Sequence, residues 1–369
     1  MAYGTVSADI IQSSVPGVSL GAGDATMMKN RFINGDMRIS QYNGTSSVAV
    51  TNTTGYVIDR WQTVASQASS KFSVQQNAGS ITPPAGFTNY LGCTVTSAYS
   101  VTSTDFFLVG QRIEGYNTAD WNWGASNAKT VTLSAWVYSS LTGTFGGAIA
   151  NLAVNRSYPF TYSIPVANTW TQISVVVPGD TTGTWNTDNT QSLAMWFSLG
   201  TGSTYAGTPG TWAAANYNGA TGQTQIVATN GATFYFTGVQ IEVGSSATGF
   251  EYRLYDQQLV DCQRYYEVGG NNAPGQFESG GTNAWFSVLY KVTKRATPSI
   301  GVSAIYGRSY GLAGWTFTSP GIVASYIDTT SAMMRVSGTT GGTGGAVIFS
   351  SGTGGATPNI APFTISAEL

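Results

Sequence analysis

The amino-acid sequence predicts an all-β protein, and two observations carry this prediction. Charged residues make up only 9% of the 369 residues, whereas aromatic residues reach 12% and there are 46 glycines, which suits a folded chain with many turns. The apolar stretches are short, alternate with polar residues and end at Gly, Pro, Asn or Asp. No long helical pattern separates them, so we expect antiparallel sheets rather than a parallel α/β sheet.

The composition also excludes several classes of function. There is no histidine, and Cys93 and Cys262 are the only cysteines, so histidine-dependent nucleophilic sites and His- or Cys-based zinc sites are ruled out. We expect two buried free thiols, no metal site and no cofactor, although the sequence leaves a structural calcium ion open. A net charge of −2 with scattered basic residues argues against nucleic-acid binding. No apolar run has the length for membrane insertion, and the N-terminus lacks a signal-peptide pattern.

Residues 1–45 are predicted to form an extended arm, because the first part of this segment is poor in apolar side chains and is interrupted by glycine. Such an arm is either a loose terminus or a segment that orders on a neighbouring subunit. Asn34-Gly35-Asp36 predicts a turn between two short apolar pieces. We interpret the charges of Arg31, Asp36 and Arg38 as solvated, rather than as ion pairs that seal the arm to the next domain.

Residues 46–250 are predicted to form an antiparallel jelly-roll β-sandwich. The clearest alternation places Val131, Leu133, Ala135 and Val137 on one face of a strand. Strands are predicted at residues 56–61, 71–75, 91–96, 106–114, 130–138, 160–163, 171–177, 193–199 and 234–243.

A short helix and a second β region complete the prediction. Residues 251–268 are assigned to a helical linker, in which Leu259, Cys262 and Tyr266 recur at three- and four-residue spacing after Asp256 as the N-cap. Residues 269–369 are predicted to form a smaller, distal β-sandwich that faces the receptor, with glycine-rich loops at 341–345 and 352–355.

Three turn-rich stretches carry candidate sugar-binding residues, because sugars stack on aromatic rings beside amides and carboxylates. The alternative is that these aromatic side chains pack against an edge of the sandwich, which is the commoner arrangement. The candidate glycan-binding residues are Trp121, Trp123, Trp185, Asp188, Trp212 and Tyr217.

Catalysis of glycoside hydrolysis would require two carboxylates held at a set separation in a cleft. Asp105, Glu114, Asp120 and Asp188 lie in aromatic neighbourhoods, but nothing in the sequence brings two of them together. We therefore expect a protein that is not an enzyme and has no catalytic residues.

Four stretches resemble the jelly-roll carbohydrate-binding modules in their order along the chain: QRIEG at 111–115, LSAWVY at 133–138, WTQISVVV at 170–177 and ATFYFTGVQI at 232–241. The resemblance implies the same fold and a glycan ligand. The last stretch carries Thr237-Gly238 where those modules have acidic residues.

Three longer stretches resemble tail-fibre-like structural proteins of tailed bacteriophages: VSLGAGDATMMKNRFINGDMRIS, TGTFGGAIANLAVNRSYPFTYSIPVANTWTQ and FTGVQIEVGSSATGFEYRLYDQQLVDCQRYY. The resemblance implies a virion protein, assembled in the host cytoplasm, that serves in host-cell adsorption. It further implies a homo-oligomer, a trimer by analogy with other fibres, which contacts other virion proteins through its arm and a host cell-surface glycan or protein elsewhere. The alternatives are a capsid decoration or head-fibre protein, and a secreted glycan-active enzyme.

Overall fold

The computed structural model describes residues 28–269, 273–277, 283–302, 304–309, 315–318, 322–337, 346–350 and 363–369. The chain divides into two units, Met1–Arg253 and Leu254–Leu369. The part of the predicted arm before Met28 and both glycine-rich loops lie outside the described residues.

Unit 1 contains fourteen of the described strands and four single-turn 3-10 helices. The strands are β1 (Val48–Ala49), β2 (Tyr56–Ile58), β3 (Trp61–Ala65), β4 (Phe72–Gln76), β5 (Leu91–Val95), β6 (Phe106–Glu114), β7 (Val131–Ser139), β8 (Gly143–Asn151), β9 (Ser157–Ile164), β10 (Thr171–Val177), β11 (Gln191–Thr201), β12 (Ala206–Gly207), β13 (Gly219–Ala220) and β14 (Thr233–Val243). The 3-10 helices are Ala78–Ser80, Gly115–Asn117, Ala119–Trp121 and Ile226–Ala228.

Two six-stranded antiparallel sheets form the sandwich of unit 1. Sheet A has the order β1-β4-β5-β14-β7-β10, and sheet B has the order β2-β3-β6-β11-β8-β9. From β5 onward the chain passes repeatedly from one sheet to the other, so that each sheet is built from strands distant in sequence. The short strands β12 and β13 form a separate parallel pair. The predicted antiparallel all-β architecture is confirmed.

The alternation of β7 decides what each face of sheet A presents. Val131, Leu133, Ala135 and Val137 are buried in the core between the sheets. The residues between them point to the opposite, outer face of sheet A, where Trp136 and Tyr138 are half-buried. This outer face carries the candidate site described below.

The structure has a hairpin where a single strand was predicted, and it contains several strands that were not predicted, of which β8 is the longest. The predicted strand at 56–61 is a hairpin, because Asp59 and Arg60 form the turn between β2 and β3, and Arg60 adopts a left-handed φ of 68°. Strand β8 was not predicted at all, since its sequence GTFGGAIAN is rich in glycine and alanine, which have low β-propensity.

Residues 30–39 belong to the sandwich and not to an arm. Phe32 and Met37 lie in the hydrophobic core, and the Trp61 indole N–H donates to the carbonyl of Asn34 at 2.9 Å. The predicted turn is present, with Asn34 at a φ of 58°.

The charges around this turn are paired, in contrast to our interpretation of them as solvated. Arg31 donates to both carboxylate oxygens of Asp120, at 2.8 and 2.9 Å. Arg38 pairs with the buried Asp36 and also donates to the carbonyl of Arg253 at 2.8 Å. These contacts seal the segment to the body of unit 1.

Unit 2 contains one described helix, α1 (Tyr255–Gln263), and ten described strands. The strands are β15 (Tyr266–Gly269), β16 (Ala273–Phe277), β17 (Asn283–Leu289), β18 (Ser299–Val302), β19 (Ala304–Ser309), β20 (Trp315–Thr318), β21 (Ile322–Ser325), β22 (Ser331–Ser337), β23 (Ala346–Ser350) and β24 (Phe363–Ser366). They form a three-stranded sheet, β15-β24-β18, and a seven-stranded sheet, β20-β19-β23-β16-β17-β22-β21. A core that includes Phe286, Met334 and Phe363 supports the sandwich-like unit.

The predicted helix is present, but its surroundings differ from those of a linker. It belongs to unit 2, and β15 directly after it already pairs with β24. Leu254 is the N-cap, while Asp256 lies in the first turn, where its charge favours the helix dipole. The buried Lys294 ties this region together, because its Nζ donates to Glu267 at 2.6 Å and to the carbonyl of Gln263 at 2.5 Å.

Both cysteines are free and buried, as predicted. Of the helices in the described ranges, none has the length and apolar character needed to cross a bilayer.

Asp59 is a buried carboxylate at the β2–β3 turn. Its side chain is inaccessible to solvent and accepts hydrogen bonds from the backbone N–H and the side-chain amide of Gln41, both at 2.5 Å. Burial raises the pKa of Asp59 to about 6, although the bonds from Gln41 act in the opposite direction.

We predict that Asp59→Asn gains stability relative to the wild type as the pH rises from about 4 to about 7. A carboxyl group whose pKa is higher in the folded state contributes stability below the unfolded-state pKa of 3.8, and this contribution is lost as the pH passes about 6. The change corresponds to about 3 kcal/mol of unfolding free energy. Urea unfolding of both proteins across this pH range measures it.

Asp188→Asn is the matched control. Hydrogen bonds from Thr190 lower the pKa of this exposed carboxyl, so its removal should shift the pH dependence in the opposite direction. A difference between Asp59→Asn and the wild type that does not vary with pH contradicts the prediction.

Candidate functional site

Four of the six predicted sugar-binding residues form one tryptophan cluster at the edge of unit 1. The ring centroid of Trp123 lies 4.9 Å from that of Trp121, 4.8 Å from that of Trp185 and 5.2 Å from that of Trp212. Trp121 is fully buried, and Trp123 and Trp185 are each only 9% exposed. The rings of these three residues are therefore covered by their neighbours and offer no open face to a sugar.

Three of the four indole N–H groups of the cluster are bonded within the protein, those of Trp123, Trp185 and Trp212, whereas the buried N–H of Trp121 has no partner among the described residues. The indole N–H of Trp123 donates to the carbonyl of Lys129 at 2.8 Å, and that of Trp185 donates to Asp180 at 2.9 Å. Arg156 donates to the same carboxylate of Asp180 at 2.9 Å. Burial pushes the pKa of Asp180 upward, but the bonds from Arg156, Trp185 and Gly183 outweigh it and lower the pKa. This part of the predicted site is a structural cluster.

Three of the predicted residues keep some exposure: Trp212 of the cluster, and Tyr217 and Asp188 outside it. Trp212 is half-buried, with the guanidinium of Arg156 over its ring at 5.7 Å. Tyr217 is also half-buried, and its backbone N–H donates to the hydroxyl of Ser157 at 3.1 Å. Asp188 is exposed and accepts hydrogen bonds from the backbone and hydroxyl of Thr190. They remain candidates for glycan contact from the sequence alone.

The candidate catalytic carboxylates hold parts of the structure in place. Asp105 accepts bonds from Ser66, Gln67 and Thr102, and these bonds lower its pKa although burial acts to raise it. Asp120 pairs with Arg31. Among the described residues, no group of three or more Cys, Asp or Glu side chains could hold a metal ion.

A cleft of about 150 Å³ lies on the outer face of sheet A. We call it the aromatic cleft. Its floor includes Ser134 and Trp136 of β7, Gln172 of β10 and Gly238 of β14. Gln172 and Thr237 pair with Trp136 from either side in the sheet, so the tryptophan occupies the middle of the floor.

Three aromatic side chains and a threonine form one wall of the aromatic cleft. Phe87 packs edge-on against Phe250, with ring centroids 5.2 Å apart, and lies 5.7 Å from Tyr252. Phe250 and Tyr252 contact each other at 5.0 Å, while Tyr252 remains 57% exposed. Thr248 completes this side. The wall thus brings together a loop before β5 and the segment that follows β14.

Gly238 explains why this cleft can form. It lies in a bulge of β14 between Thr237 and Gln240, with a left-handed φ of 60°. A Cβ atom there would come within 2.6 Å of the Phe87 ring, so a side chain would displace the wall. The Thr237-Gly238 departure from the acidic pattern of carbohydrate-binding modules therefore lies at the aromatic cleft and leaves that position without a charge.

The aromatic cleft can bind by stacking and hydrogen bonding, without charge. Trp136, Phe87 and Phe250 are half-buried rings, and the accessible surface of the cleft is mostly polar, with Gln172 and Thr248 among its polar residues. None of the ten lining residues, all within residues 28–269, is charged. A small uncharged ligand with both apolar faces and hydroxyl groups matches this arrangement.

The sequence does not group the residues of this site, because they come from five separate segments of the chain. One signal was present in the predicted strand at 130–138. The alternation that buries Leu133 and Ala135 places Trp136 on the solvent side, where a large aromatic side chain is unusual unless another element covers it or a ligand binds it.

No protein-family model and no curated protein sequence matches the chain. Among solved structures, it is similar to the enzymatically active domain of tailspike protein 4 of bacteriophage CBA120, at 12% identity over 58% of this chain and 22% of the tailspike, with a TM-score of 0.32. The chain thus spans about a fifth of the length of that tailspike.

Two bacterial proteins are similar at the same level. The family 11 carbohydrate-binding module of the cellulase Lic26A-Cel5E from Clostridium thermocellum is 13% identical over 56% of this chain and 100% of the module, with a TM-score of 0.25. The CBM22-1–GH10 modules of xylanase 10B from the same organism, complexed with xylohexaose, are 14% identical over 57% of this chain and 30% of that one, with a TM-score of 0.26. A ligand for this chain is therefore inferred from the aromatic cleft itself and not from these similarities.

The tryptophan cluster gives a direct test of its structural role. Trp123→Ala should lower the unfolding free energy of unit 1 by about 3–5 kcal/mol, because it removes a ring that contacts three others. Chemical denaturation followed by circular dichroism measures the change. Tyr116→Ala is the control, since Tyr116 is 61% exposed and its loss should cost less than about 0.5 kcal/mol. Equal stability of the two variants would show that Trp123 is not part of a packed cluster.

Proposed function

We propose that unit 1 is a carbohydrate-binding domain that takes a neutral glycan in the aromatic cleft. The observation that carries this proposal is the set of Phe87, Trp136, Phe250 and Tyr252 around a cleft with no charged lining residue. The apolar face of a sugar ring stacks on aromatic side chains, and its hydroxyl groups bond to amides and hydroxyls. A cleft of about 150 Å³ lies below the usual range for drug-sized ligands, so it suits one or two sugar rings of a longer chain.

The lack of charge favours neutral over acidic glycans. An acidic sugar would leave its carboxylate in a partly dehydrated cleft without an opposing charge, which is costly. The ammonium group of Lys29 is bonded to the wall of the cleft. It donates to the hydroxyl of Thr248 and to the carbonyl of Gly249, both at 2.6 Å. A neutral hexose or pentose unit avoids this cost.

We further propose that the chain is a virion protein of a tailed bacteriophage, a tail fibre or tail-associated component that adsorbs to the host cell. The support is the sequence resemblance of residues 18–40, 142–172 and 236–266 to phage tail-fibre-like proteins. In this proposal the residues before Met28 attach the protein to the particle, identical chains associate as a trimer, and the protein acts by binding and not by catalysis. A capsid decoration or head-fibre protein is the alternative with the same domains.

We predict that Trp136→Ala and Tyr252→Ala each weaken glycan binding by about tenfold or more, because each removes a stacking surface worth about 1 kcal/mol beyond its contact area. A glycan array that includes neutral and acidic surface polysaccharides identifies the ligand, and isothermal titration calorimetry measures the affinity.

Three variants serve as controls for this binding experiment. Tyr116→Ala removes an exposed aromatic side chain outside the aromatic cleft, and Trp212→Ala and Tyr217→Ala test the loops that the sequence predicts. If only the loop variants lose affinity, the sequence-predicted site is the correct one. Absence of any glycan ligand for the wild type contradicts carbohydrate binding, and a preference for acidic glycans contradicts the neutral class. Release of sugar products that Asp120→Ala or Asp188→Ala abolishes would contradict a non-enzymatic role.

Deletion of residues 1–26 tests the attachment role. We expect a folded, soluble protein with an unchanged unfolding midpoint that no longer joins particles, because the core contacts of unit 1 described here begin after Met28. Light scattering of the purified protein measures whether it is a trimer. Immunogold labelling of virions shows where on the particle it lies. A truncated protein that fails to fold assigns the segment to the domain instead, and label on the head supports the capsid alternative.

A further inference from the structure

The first described residues of unit 1 and its last residues meet beside the aromatic cleft. Lys29 and Asn30, the second and third described residues, lie against residues 248–253, the last residues of unit 1. We call this set of contacts the terminal clamp. It joins the residues that follow the proposed attachment segment to the segment that forms one wall of the aromatic cleft.

Lys29 bonds directly to this wall. Its Nζ donates to the Thr248 hydroxyl and to the Gly249 carbonyl, both at 2.6 Å. The Thr248 hydroxyl in turn donates to the buried Glu242 at 2.6 Å, and the Thr248 backbone N–H donates to the same carboxylate at 2.8 Å. Thr248, a cleft-lining residue, is therefore fixed between Lys29 and Glu242.

Glu251 provides the second part of the terminal clamp. Its carboxylate accepts from the backbone N–H of Lys29 at 3.2 Å and from that of Asn30 at 2.7 Å. Arg253 donates to the carbonyl of Asn30 at 2.6 Å and lies 3.3 Å from Glu251. These are charge-assisted bonds, which are stronger than bonds between neutral groups.

The side chains of residues 250–253 alternate between lining the aromatic cleft and bonding within the terminal clamp. Phe250 and Tyr252 line the aromatic cleft, whereas Glu251 and Arg253 between and after them bond to Lys29 and Asn30. This is the alternation expected of an extended backbone, in which successive side chains point to opposite sides. Among the described strands, none pairs with this segment, and side-chain bonds and ring packing hold it in place.

We propose that Lys29 and Glu251 are positioning residues of the aromatic cleft. They hold residues 248–253 in the conformation that presents Phe250 and Tyr252, so glycan affinity depends on contacts made by residues that do not line the cleft. The proposal deepens and rests on the proposed carbohydrate binding. By linkage, a bound glycan stabilises the terminal clamp as much as the clamp favours the glycan, so cleft occupancy and the bonds of Lys29 and Asn30 are coupled.

The coupling depends on the fraction of molecules in which residues 248–253 have the ordered conformation that forms the wall. A ligand that binds only the ordered conformation shows an affinity reduced by the fraction of molecules that have it. Loss of the Lys29 ammonium group leaves Thr248 and Gly249 without their charged donor, which lowers this fraction. The large core of unit 1 lies elsewhere and keeps the fold intact.

The test compares Lys29→Ala and Glu251→Gln with the conservative variant Lys29→Arg, in the full chain. Lys71→Ala is the matched control, because the Lys71 ammonium group lies over the Tyr99 ring at 5.0 Å, outside the terminal clamp. Hydrogen–deuterium exchange of peptides covering residues 246–253 reports wall order without a ligand. Titration calorimetry with the glycan identified on the array reports affinity, and thermal unfolding reports global stability.

We expect Lys29→Ala and Glu251→Gln to speed exchange in residues 246–253 and to raise the glycan dissociation constant about tenfold, which is about 1.4 kcal/mol. Lys29→Arg should keep both the exchange rate of residues 246–253 and the glycan dissociation constant close to those of the wild type. Lys71→Ala should change neither the exchange rate nor the dissociation constant. A merely structural role would lower the unfolding midpoint but leave the dissociation constant and local exchange unchanged, and that result overturns the proposal.

The failure of carbohydrate binding is distinguishable from the failure of the terminal clamp. If the wild type binds no glycan, the proposed function falls, and exchange alone then decides whether Lys29 orders residues 246–253. Unchanged exchange in Lys29→Ala and Glu251→Gln overturns the clamp with or without a ligand. Faster exchange with unchanged affinity also overturns it, because the wall would then contribute nothing to binding.

Discussion

The bulge in β14 imposes a constraint on unit 1, because the backbone groups that it leaves unpaired in the sheet need other partners. Backbone N–H and C=O groups buried in a sheet must be paired, and the bulge interrupts the ladder between β14 and β7. Residues from the start of the described chain supply the missing partners. The Asn30 side chain donates to the carbonyl of Val239 at 2.9 Å and accepts from the N–H of Ile241 at 3.2 Å, and the Gly35 carbonyl accepts from the N–H of Val239 at 2.9 Å. The segment around Asn30 thus completes the closing strand of the sandwich.

This pairing joins two stretches of sequence that lie far apart in the chain. KNRFINGD contains Asn30, which pairs with the bulge, and the glycine at 35, where a Cβ atom would lie only 2.3 Å from the carbonyl of Val239. EVGSSATGFEYR contains the bonding partners Glu242, Thr248 and Glu251. The two stretches pack against each other, so each constrains the residues that the other can have. The two stretches therefore form a structural joint, and the wall of the aromatic cleft is built on that joint.

The strands could be predicted from the sequence because their cause is local, whereas the site could not. Alternation in Val131, Leu133, Ala135 and Val137 encodes a buried face, whatever lies opposite it. The turn at Asp59 and Arg60 was missed because its apolar flanks continue the pattern of a single strand. The exposure of a tryptophan in a loop depends on residues far away in the chain, so Trp121, Trp123 and Trp185 appear available in sequence and are buried in the structure. The aromatic cleft needs Phe87, Trp136 and Phe250 together, and only the strand order of sheet A brings them there.

The scarcity of charge acquires a structural meaning from where the charges are found. In unit 1, Arg31, Arg38, Arg156 and Arg253 each pair with a carboxylate and fasten loops or terminal segments to the sandwich. An exposed ion pair contributes little to stability, but these arginine side chains are at most 24% exposed. Arg31, Arg38 and Arg253 also donate to backbone carbonyls, and Arg156 donates through two nitrogens to one carboxylate oxygen of Asp180. Their role is to fix geometry, which leaves the outer face of sheet A to aromatic and amide side chains around the cleft. That is the physical case for a neutral glycan as the ligand, and it follows from the placement of charges as much as from the aromatic rings.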